Sequence, residues 1–390
     1  MAVRAYLDFN ATAPLRAPAR AAMIAALDVA GNASSVHAEG RLARRLVEEA
    51  RQEVADLLGA SPRHVIFTSG GTEANMSALC PWIEVGGDHH PRDRLFVSAI
   101  EHPSVRCGGG FPSERVEELD VCASGVVDLA ALKYRLSTAA RIGERPLVSI
   151  MLANNESGII QPIEAAARVV HAMGGLLHVD AIQAAGRIGC SIADLDADLL
   201  TVSAHKLGGP KGVGALVRRE GVVPRPIVRG GGQERGLRAG TENVAGIAGF
   251  GAAAAAAHVL RVDEAVAMRA LRDRLEAGLR AISSDTIIFG ADIARLPNTV
   301  LFAVPGVKAE TAVIALDLEG IAVSSGAACS SGKVQPSHVL IAMGVDPALA
   351  RGAIRVSLGP QTTEIEVDCF LHAWTKLGKG LNKGVGGLAA

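Results

Sequence analysis

Strand-like runs alternate with helical segments between residues 60 and 220, and most of these runs end in glycine or polar residues. The clearest case is the run "HVIFTS", which is followed by the glycine turn and helix start "GGTEANMSAL". The same change occurs after 94–100, 146–153, 174–180 and 196–204. This alternation predicts a mostly parallel sheet that is covered by helices, with the functional turns at the carboxyl ends of its strands.

The pattern changes after about residue 255. The Ala- and Gly-rich stretch 244–262 predicts a buried helix, and residues 262–282 predict a second, amphipathic helix. Beyond them, the runs "TVLFAVP" and "AIRVSL" predict short strands around a helix at 308–319. These shorter strands indicate a separate α+β unit.

The length of 390 residues favours two domains, because one hydrophobic core seldom serves a chain of this size. We predict a large α/β domain over residues 15–260. A smaller α+β domain is predicted for residues 1–14 and 261–380, with a flexible tail at 381–390.

Charge and hydropathy exclude several classes of function. The formal net charge is −1 and no basic stripe is present, so we expect neither nucleic acid nor a membrane surface as a partner. The most apolar stretch is rich in Ala and Gly rather than Leu, Ile and Phe, which is typical of a buried helix. The N-terminus lacks the features of a signal peptide, so the sequence predicts a cytoplasmic protein.

One cysteine has unusual neighbours. Cys329 lies in "SSGAACSSGK" (324–333), whose small polar residues favour neither helix nor strand. No pair among the six cysteines has C-x-x-C spacing, so we predict neither a disulfide framework nor a zinc site, and no metal site. The stretch also fails to match the nucleotide-binding pattern G-x-x-x-x-G-K-[ST], since Val334 stands at the Ser or Thr position.

A lysine and an aspartate follow two of the predicted strands. Lys206 comes just after the strand at 196–204, and Asp180 ends the strand at 174–180, with Gln183 three residues later. Each residue alone has an ordinary interpretation, a surface lysine or a helix-capping aspartate. Together they suit pyridoxal 5'-phosphate (PLP), which needs a lysine for a Schiff base and a carboxylate at its pyridine nitrogen.

Other polar residues follow further strands. The turn "TSGGTEAN" (68–75) could bind the PLP phosphate through backbone N–H groups and Thr72, although an ordinary helix start fits it equally. His102 could stack on the cofactor ring or move protons, or it could simply start a helix. Asn155 follows another strand end. Arg355 lies in an apolar run; if it is buried, a substrate carboxylate would suit it.

These motifs together resemble those of NifS/IscS-type cysteine desulfurases, in the same order, from residue 6 to about residue 360. The matching segments are "SSVHAEGRLAR", "SGGTEAN", "EHPSV", "NNESG", "HVDAIQ", "SAHKLGGPKG", "GGGQERGLRAGTEN", "SSGAACSSG" and "IRVSLG". That family belongs to the class V aminotransferase-like, fold-type I PLP enzymes. The resemblance implies a seven-stranded, mostly parallel sheet in the large domain and a small α+β domain that carries the cysteine loop.

The resemblance also implies a role for each motif residue. Lys206 would bind PLP covalently, Asp180 would pair with the pyridine nitrogen, and His102 would lie over the ring. Gln183 would contact the ring hydroxyl group. The residues implied to bind the phosphate are Gly71, Thr72, Ser203, His205 and, from a second subunit, Thr241. A homodimer is therefore implied.

The substrate residues implied by the resemblance are Asn155 and Arg355, which would hold the carboxylate of L-cysteine, with Asn10 nearby. Cys329 would accept the sulfur as a persulfide while L-alanine is released. The loop resembles the NifS-like form, which implies sulfur supply to an iron–sulfur scaffold protein, including that of nitrogenase. Lys333 or His102 would favour the thiolate of Cys329.

Three alternatives remain open at the level of sequence. A selenocysteine lyase or a class V aminotransferase would use the same fold and cofactor. A non-enzymatic scaffold is disfavoured by the complete set of lysine, aspartate and cysteine. We also expect Gly326 and Gly332 to let the cysteine loop move.

Overall fold

The computed structural model describes residues 4–326 and 336–385, with side chains up to residue 378. Cys329, Gly332 and Lys333 lie outside the described residues. The described strands are, in chain order, β1 (Ala5–Tyr6), β2 (Val65–Thr68), β3 (Ile83–Val85), β4 (Arg94–Ser98), β5 (Val116–Leu119), β6 (Pro146–Met151), β7 (Leu176–Asp180), β8 (Leu199–Ser203), β9 (Gly214–Arg218), β10 (Val222–Pro224), β11 (Ile287–Ile288), β12 (Thr299–Ala303), β13 (Ile321–Ala322), β14 (Ser324–Ser325) and β15 (Ile354–Ser357). The described helices are α1 (Ala17–Leu27), α2 (Ala38–Leu57), α3 (Gly71–Ala78), α4 (Pro103–Arg106), α5 (Leu129–Arg141), α6 (Ile163–Ala172), α7 (Val244–Ile282), α8 (Ala309–Leu318), α9 (His338–Ala342), α10 (Pro347–Arg351) and α11 (Glu364–Val385).

A seven-stranded sheet forms the centre of the fold, with the strand order β2-β9-β8-β7-β6-β4-β5. The run from β8 to β5 is parallel, and β9 is antiparallel to both of its neighbours. Every residue of β6, β7 and β8 is buried, as expected for strands with helices on both faces of the sheet. The predicted fold class is confirmed.

The register of the parallel strands brings their carboxyl ends to one edge. Asp180 is paired with Met151 on β6 and with Thr201 on β8. Lys206 follows β8 in a short 3-10 turn, Ala204–Lys206. The lysine and aspartate that the sequence singled out therefore lie at the same edge of the sheet.

A second, antiparallel sheet has the order β11-β12-β15-β14. Its own apolar cluster contains Leu275 and Leu279 of α7, Phe302 of β12 and Phe370 and Trp374 of α11. Arg355 lies on β15 of this sheet. Arg355 lines the candidate cavity, so both sheets contribute to the region of the candidate site.

One helix replaces two predicted ones. The stretches 244–262 and 262–282 form the continuous α7, because no glycine or proline interrupts residues 252–277. Its first half packs in the large core, whereas its last turns pack under the second sheet. By length and hydropathy α7 could cross a bilayer, but half of its most apolar window is buried inside the protein.

The predicted domain division stays a prediction, and two observations bear on its limits. The boundary between residues 260 and 261 falls inside α7. The helix α11 continues to Val385, so residues 381–385 of the predicted tail are helical, and residues 386–390 lie outside the described residues.

A buried ion pair joins α2 to the segment that precedes α7. The guanidinium of Arg51 donates two hydrogen bonds to the carboxylate of Glu234, at 2.7 and 2.9 Å. The same carboxylate accepts the backbone N–H of Phe67, whose ring lies under the guanidinium. Glu234 and the next residue, Arg235, both have positive φ angles, so this pair holds a backbone conformation that is unusual outside glycine.

Removing one partner of this pair should destabilise the protein strongly. Arg51→Met leaves the Glu234 carboxylate buried without its cation, and we expect a loss of about 3–5 kcal/mol in free energy of unfolding. Chemical denaturation measures this loss. The control is Arg274→Met, which breaks an exposed pair with Asp368 and should cost far less. Equal losses for the two variants would contradict the role of the buried pair.

Candidate active site

A cavity of about 320 Å³ opens at the carboxyl ends of β6, β7 and β8. The sequence analysis assigned thirteen residues a role in catalysis or in binding the cofactor or substrate. Eleven of them line the cavity: Asn10, Gly71, Thr72, His102, Asn155, Asp180, Gln183, Ser203, His205, Lys206 and Arg355. Thr241 is exposed and does not line this cavity. Cys329 lies outside the described residues.

Asp180 is buried at the floor of the site and is held by directed hydrogen bonds. Its Oδ1 accepts the backbone N–H of Ile182, and its Oδ2 accepts Nδ2 of Asn75, both at 2.9 Å. Burial raises the pKa of Asp180, and these hydrogen bonds oppose the rise. A carboxylate that is held in this way suits a positively charged partner inside the cavity.

A series of hydrogen bonds between buried side chains holds Asn75 in place. Thr201 donates to Oδ1 of Asn75 at 2.6 Å, so its oxygen accepts Nε2–H of His178 at 3.1 Å. Nδ1 of His178 therefore accepts the hydroxyl of Ser149, at 2.8 Å. Burial lowers the pKa of His178 to about 3, so the imidazole is neutral and its tautomer is set by these neighbours.

His102 has a defined tautomer as well. It precedes α4, and its Nδ1 accepts the backbone N–H of Ser104 at 3.1 Å and the Ser104 hydroxyl at 2.8 Å. Because an amide N–H can only donate, the ring proton of neutral His102 is on Nε2. Ser104 in turn accepts the second N–H of Asn75, at 2.9 Å. Burial lowers the pKa of His102, which favours this neutral form.

Lys206 and Gln183 meet at one backbone carbonyl. The Nζ of Lys206 donates to the carbonyl oxygens of Asn10 and Ala11, at 2.6 and 2.9 Å. Nε2 of Gln183 donates to the same Asn10 carbonyl, at 2.9 Å. Its Oε1 accepts the guanidinium of Arg187, a residue outside the cavity lining.

The opposite side of the cavity contains Arg355, which is only 2% exposed. Its guanidinium donates to Asp8 at 2.8 Å and to the carbonyl of Asn155 at 3.0 Å. Its Nε is buried and has no hydrogen-bond partner among the described residues. The sequence analysis expected an anion for a buried Arg355, and Asp8 supplies one within the protein.

Asn10 lines the cavity but uses its side chain within the protein. Its Nδ2 donates to Thr299 and to the carbonyl of Asn155, at 3.0 and 3.2 Å. Its Oδ1 accepts Asn298, at 3.2 Å. The described geometry therefore favours a positioning role for this side chain, and substrate contact by Asn10 stays a prediction.

The turn before α3 lets a ligand come close to the backbone. Gly70 has φ of 155°, a conformation that residues with a side chain rarely adopt, and a Cβ on Gly71 would collide with Ile182. No described side chain caps the N-terminus of α3, so the N–H groups of its first turn are available to an anion. Thr72, Ser203 and His205 line the cavity beside this turn.

The charges around the cavity favour an anionic ligand. Lys206 and Arg355 line it, and the buried Arg187 lies directly behind Gln183. Against these three cations, the carboxylates bonded to site residues are Asp180 and Asp8. Glu156 also interacts with Arg355, and burial raises its pKa to about 7. The excess of positive charge suits a phosphate and a carboxylate.

Two further ionisable groups near the cavity favour their neutral forms. Burial lowers the pKa of His205 to about 4, helped by the charge of Lys206. Burial and the neighbouring charge of Asp180 raise the pKa of Glu101 well above its usual range. Neither group therefore offsets the positive charge of the cavity.

Sequence reasoning missed five residues that hold the site together: Asp8, Asn75, Glu101, Ser104 and Arg187. Asn75 and Ser104 lie inside motifs that were recognised, but nothing in their spacing showed that they bond to each other. Their side chains meet only because α3, α4 and the end of β7 converge. The one available signal was the position of Asn75, one helical turn beyond Gly71 on the same face of α3.

Comparisons with known proteins agree with this site. The family described as Aminotransferase class-V matches residues 5–370. A cysteine desulfurase from Cereibacter sphaeroides is 43% identical over 375 residues, which is 95% of this chain and 94% of the relative. An IscS-like cysteine desulfurase from Mycobacterium tuberculosis is 42% identical and covers 94% of each chain. A NifS-like protein from Rickettsia africae has a crystal structure that matches with a TM-score of 0.87 and 33% identity, covering 97% of this chain and 100% of that one.

The chain therefore belongs to the class-V aminotransferase family, a family of PLP-dependent enzymes. This result confirms the resemblance that the sequence motifs indicated. The individual roles of the cavity residues stay predictions.

The buried imidazole of His178 predicts a pH dependence of stability. In the unfolded chain its pKa is about 6.5, whereas in the folded protein it is about 3. The unfolded state therefore binds the proton first, and stability is lost as the pH falls below about 6.5. Between pH 7 and pH 5 this group alone should cost about 2 kcal/mol.

Urea unfolding at a series of pH values tests this expectation. His178→Gln can still bond to both Ser149 and Thr201, and it should lose about 2 kcal/mol less than wild type between pH 7 and pH 5. The control is His258→Gln, at an exposed position of α7, which should leave the pH dependence unchanged. The same pH dependence in His178→Gln and wild type would show that His178 is not the group responsible.

Proposed function

We propose that this protein is a PLP-dependent cysteine desulfurase that converts L-cysteine to L-alanine and leaves the sulfur as a persulfide on Cys329. The observation that carries the proposal is that Lys206, Asp180 and the buried Arg355 line the same cavity. Relatives that are 42–43% identical over almost the whole chain have this activity in their names. The cavity supports an amino acid substrate, and the names of the relatives support one that contains sulfur.

The described residues fit PLP. Lys206 offers the amine that would attach the cofactor, and Asp180 would accept the N–H of its pyridine ring. The first turn of α3, with Ser203 and His205, would bind its phosphate. When it is bound, PLP supplies an electron sink that stabilises negative charge on the substrate Cα.

The substrate carboxylate would bind at Arg355. Arg355 lines the cavity, and its guanidinium would bind a carboxylate oxygen there. Asp8 and the Asn155 carbonyl fix the other side of the guanidinium and thereby its orientation. The substrate would then lie between Arg355 and Lys206.

Two groups would move protons. The Nζ of Lys206 takes the proton from the substrate Cα and returns protons to the product. In its neutral form His102 would donate a hydrogen bond to the substrate from Nε2 and would not act as a base, because Nδ1 is occupied by Ser104. To move a proton at a thiol, His102 would have to pass through its imidazolium form.

The sulfur transfer balances without a further reactant. The thiolate of Cys329 forms a bond to the substrate sulfur as the bond from that sulfur to Cβ breaks. The electron pair of the broken bond stays with the carbon fragment, which is protonated to give the methyl group of alanine. The persulfide on Cys329 then holds the sulfur for an acceptor.

A homodimer and a sulfur acceptor complete the proposal. Thr241 is exposed, as a residue that reaches into a second subunit would be in an isolated chain. Val259, Val262 and Val266 form an exposed apolar row on α7, which supports a subunit interface. We propose a cytoplasmic enzyme that passes sulfur to an iron–sulfur scaffold protein, with nitrogenase assembly as one such use.

Cys329→Ala tests the nucleophile. The variant should keep the visible colour of bound PLP but lose at least about a thousandfold in sulfide release from L-cysteine in the presence of a reductant. The control is Cys369→Ala, at an exposed position of α11, which should keep wild-type activity. Sulfide release near the wild-type rate would place the nucleophile elsewhere. Equal amounts of alanine and sulfide from wild type are expected; a keto acid product would indicate an aminotransferase.

Lys206→Ala tests the attachment of PLP. Without this amine, borohydride reduction should leave no cofactor on the protein, and the activity should fall by at least about a thousandfold because the Cα proton has no acceptor. Mass spectrometry of the reduced protein measures the adduct. Lys211→Ala, at an exposed position, should keep the adduct and the activity. An adduct at another lysine would refute the assignment.

A further inference from the structure

Arg187 is a buried cation without a carboxylate partner among the described residues. It is 6% exposed, and its guanidinium contacts only oxygen atoms of neutral groups. The similarly buried Arg51, Arg295 and Arg355 each bond to a carboxylate. Burial lowers the pKa of Arg187 to about 9, which reflects the cost of placing its charge there.

The contacts of Arg187 converge on the catalytic edge of the sheet. Nη1 donates to the backbone carbonyl of Gln183 at 2.9 Å and also to its Oε1. Nη2 donates to the carbonyls of Phe9 and Lys206, both at 3.4 Å. One guanidinium thus touches the residue before Asn10, the side chain of Gln183 and the backbone of Lys206.

These contacts determine which way the Gln183 amide faces. A guanidinium has donors and no acceptor, so the amide atom beside it must be Oε1. The other atom, Nε2, then donates to the Asn10 carbonyl and has one N–H left. Gln183 lines the cavity, so this amide presents a donor rather than an acceptor to a bound ligand. The Asn10 carbonyl, which can only accept, favours the same orientation, so Arg187 and this carbonyl fix the amide together.

We propose that Arg187 is a positioning residue that acts through Gln183, holding its amide so that Nε2 donates to the ionised ring oxygen of PLP. The inference rests on the proposed function, because it assigns Gln183 to that oxygen. The positive charge also polarises the amide and strengthens it as a donor. A neutral residue at position 187 would lose both effects.

PLP binding and the absorbance of bound PLP test the proposal without measuring turnover. Arg187→Met should weaken PLP binding by about tenfold, since a charge-assisted hydrogen bond no longer holds the donor. A hydrogen-bond donor at the ring oxygen withdraws electrons from the nearby nitrogen that joins PLP to Lys206, and so lowers the pKa of that nitrogen. The visible absorbance of bound PLP changes as this nitrogen loses its proton. Without the donor, the pH midpoint of that change should rise by about half a pH unit or more. Arg187→Lys keeps the positive charge but loses the paired N–H donors of the guanidinium. Its PLP affinity and pH midpoint should lie between those of wild type and Arg187→Met.

Arg16→Met is the matched control. Arg16 bonds to the neighbouring Leu207 carbonyl and to Glu264, and it has no described contact with Gln183. This variant should keep both the PLP affinity and the pH midpoint of wild type. Circular dichroism of each apoprotein checks that the variants are folded; if Arg187→Met does not fold, Arg187→Lys carries the test.

A double-mutant cycle with Gln183→Ala decides whether Arg187 acts through the amide. The double variant should match Gln183→Ala alone in pH midpoint, because the amide that Arg187 orients is gone. Additive shifts, or a wild-type midpoint in Arg187→Met and Arg187→Lys, would overturn the proposal. Failure of wild type to bind PLP would overturn the proposed function instead, so the two failures can be told apart.

Discussion

The burial of a carboxylate at the end of a central strand is the constraint on which this active site depends. An ionised Asp180 in that position is costly unless hydrogen bonds and a cation compensate for its lost hydration. The backbone of Ile182 and the side chain of Asn75 provide two hydrogen bonds. Because Asn75 has to face Asp180, its own oxygen has to be satisfied by Thr201, and the second N–H by Ser104. The hydrogen bonds that stabilise the buried Asp180 therefore fix the positions of side chains on α3, β8 and the start of α4.

The same network separates charged from neutral groups around the cavity. Ser104 and Thr201 extend the hydrogen bonds of Asn75 to two histidines, His102 and His178, and burial keeps both imidazoles neutral. The positive charge comes instead from Lys206, Arg187 and Arg355. Such a cavity attracts anions, while its histidines stay neutral and form no ion pairs with the described residues. This is the electrostatic pattern that a phosphorylated cofactor and an amino acid carboxylate require together.

The central part of the site could be predicted from the sequence because parallel strands end at the same edge. Asp180 and Lys206 were recognisable as a pair because Asp180 ends one buried strand and Lys206 follows the next, and the register of β7 and β8 then brings them together. The helix α2 (Ala38–Leu57) is equally legible in the sequence, since its apolar residues recur at helical spacing. The break near residue 262 was predicted wrongly, because a change from Ala-rich to amphipathic sequence alters what packs on a helix without ending it.

The sequence by itself determined the class of fold and the family, and it predicted the lysine, aspartate and cysteine of the site. These features depend on local periodicity and on short motifs, which are legible along the chain. Only the tertiary structure decided the partners: Asp8 with Arg355, Asn75 with Asp180, and Arg187 with Gln183. The first two pairs are 347 and 105 residues apart, so no local rule connects them. Arg187 and Gln183 are only four residues apart. Their contact is strong because Arg187 is buried against Phe9 and Lys206, where no water competes for the guanidinium.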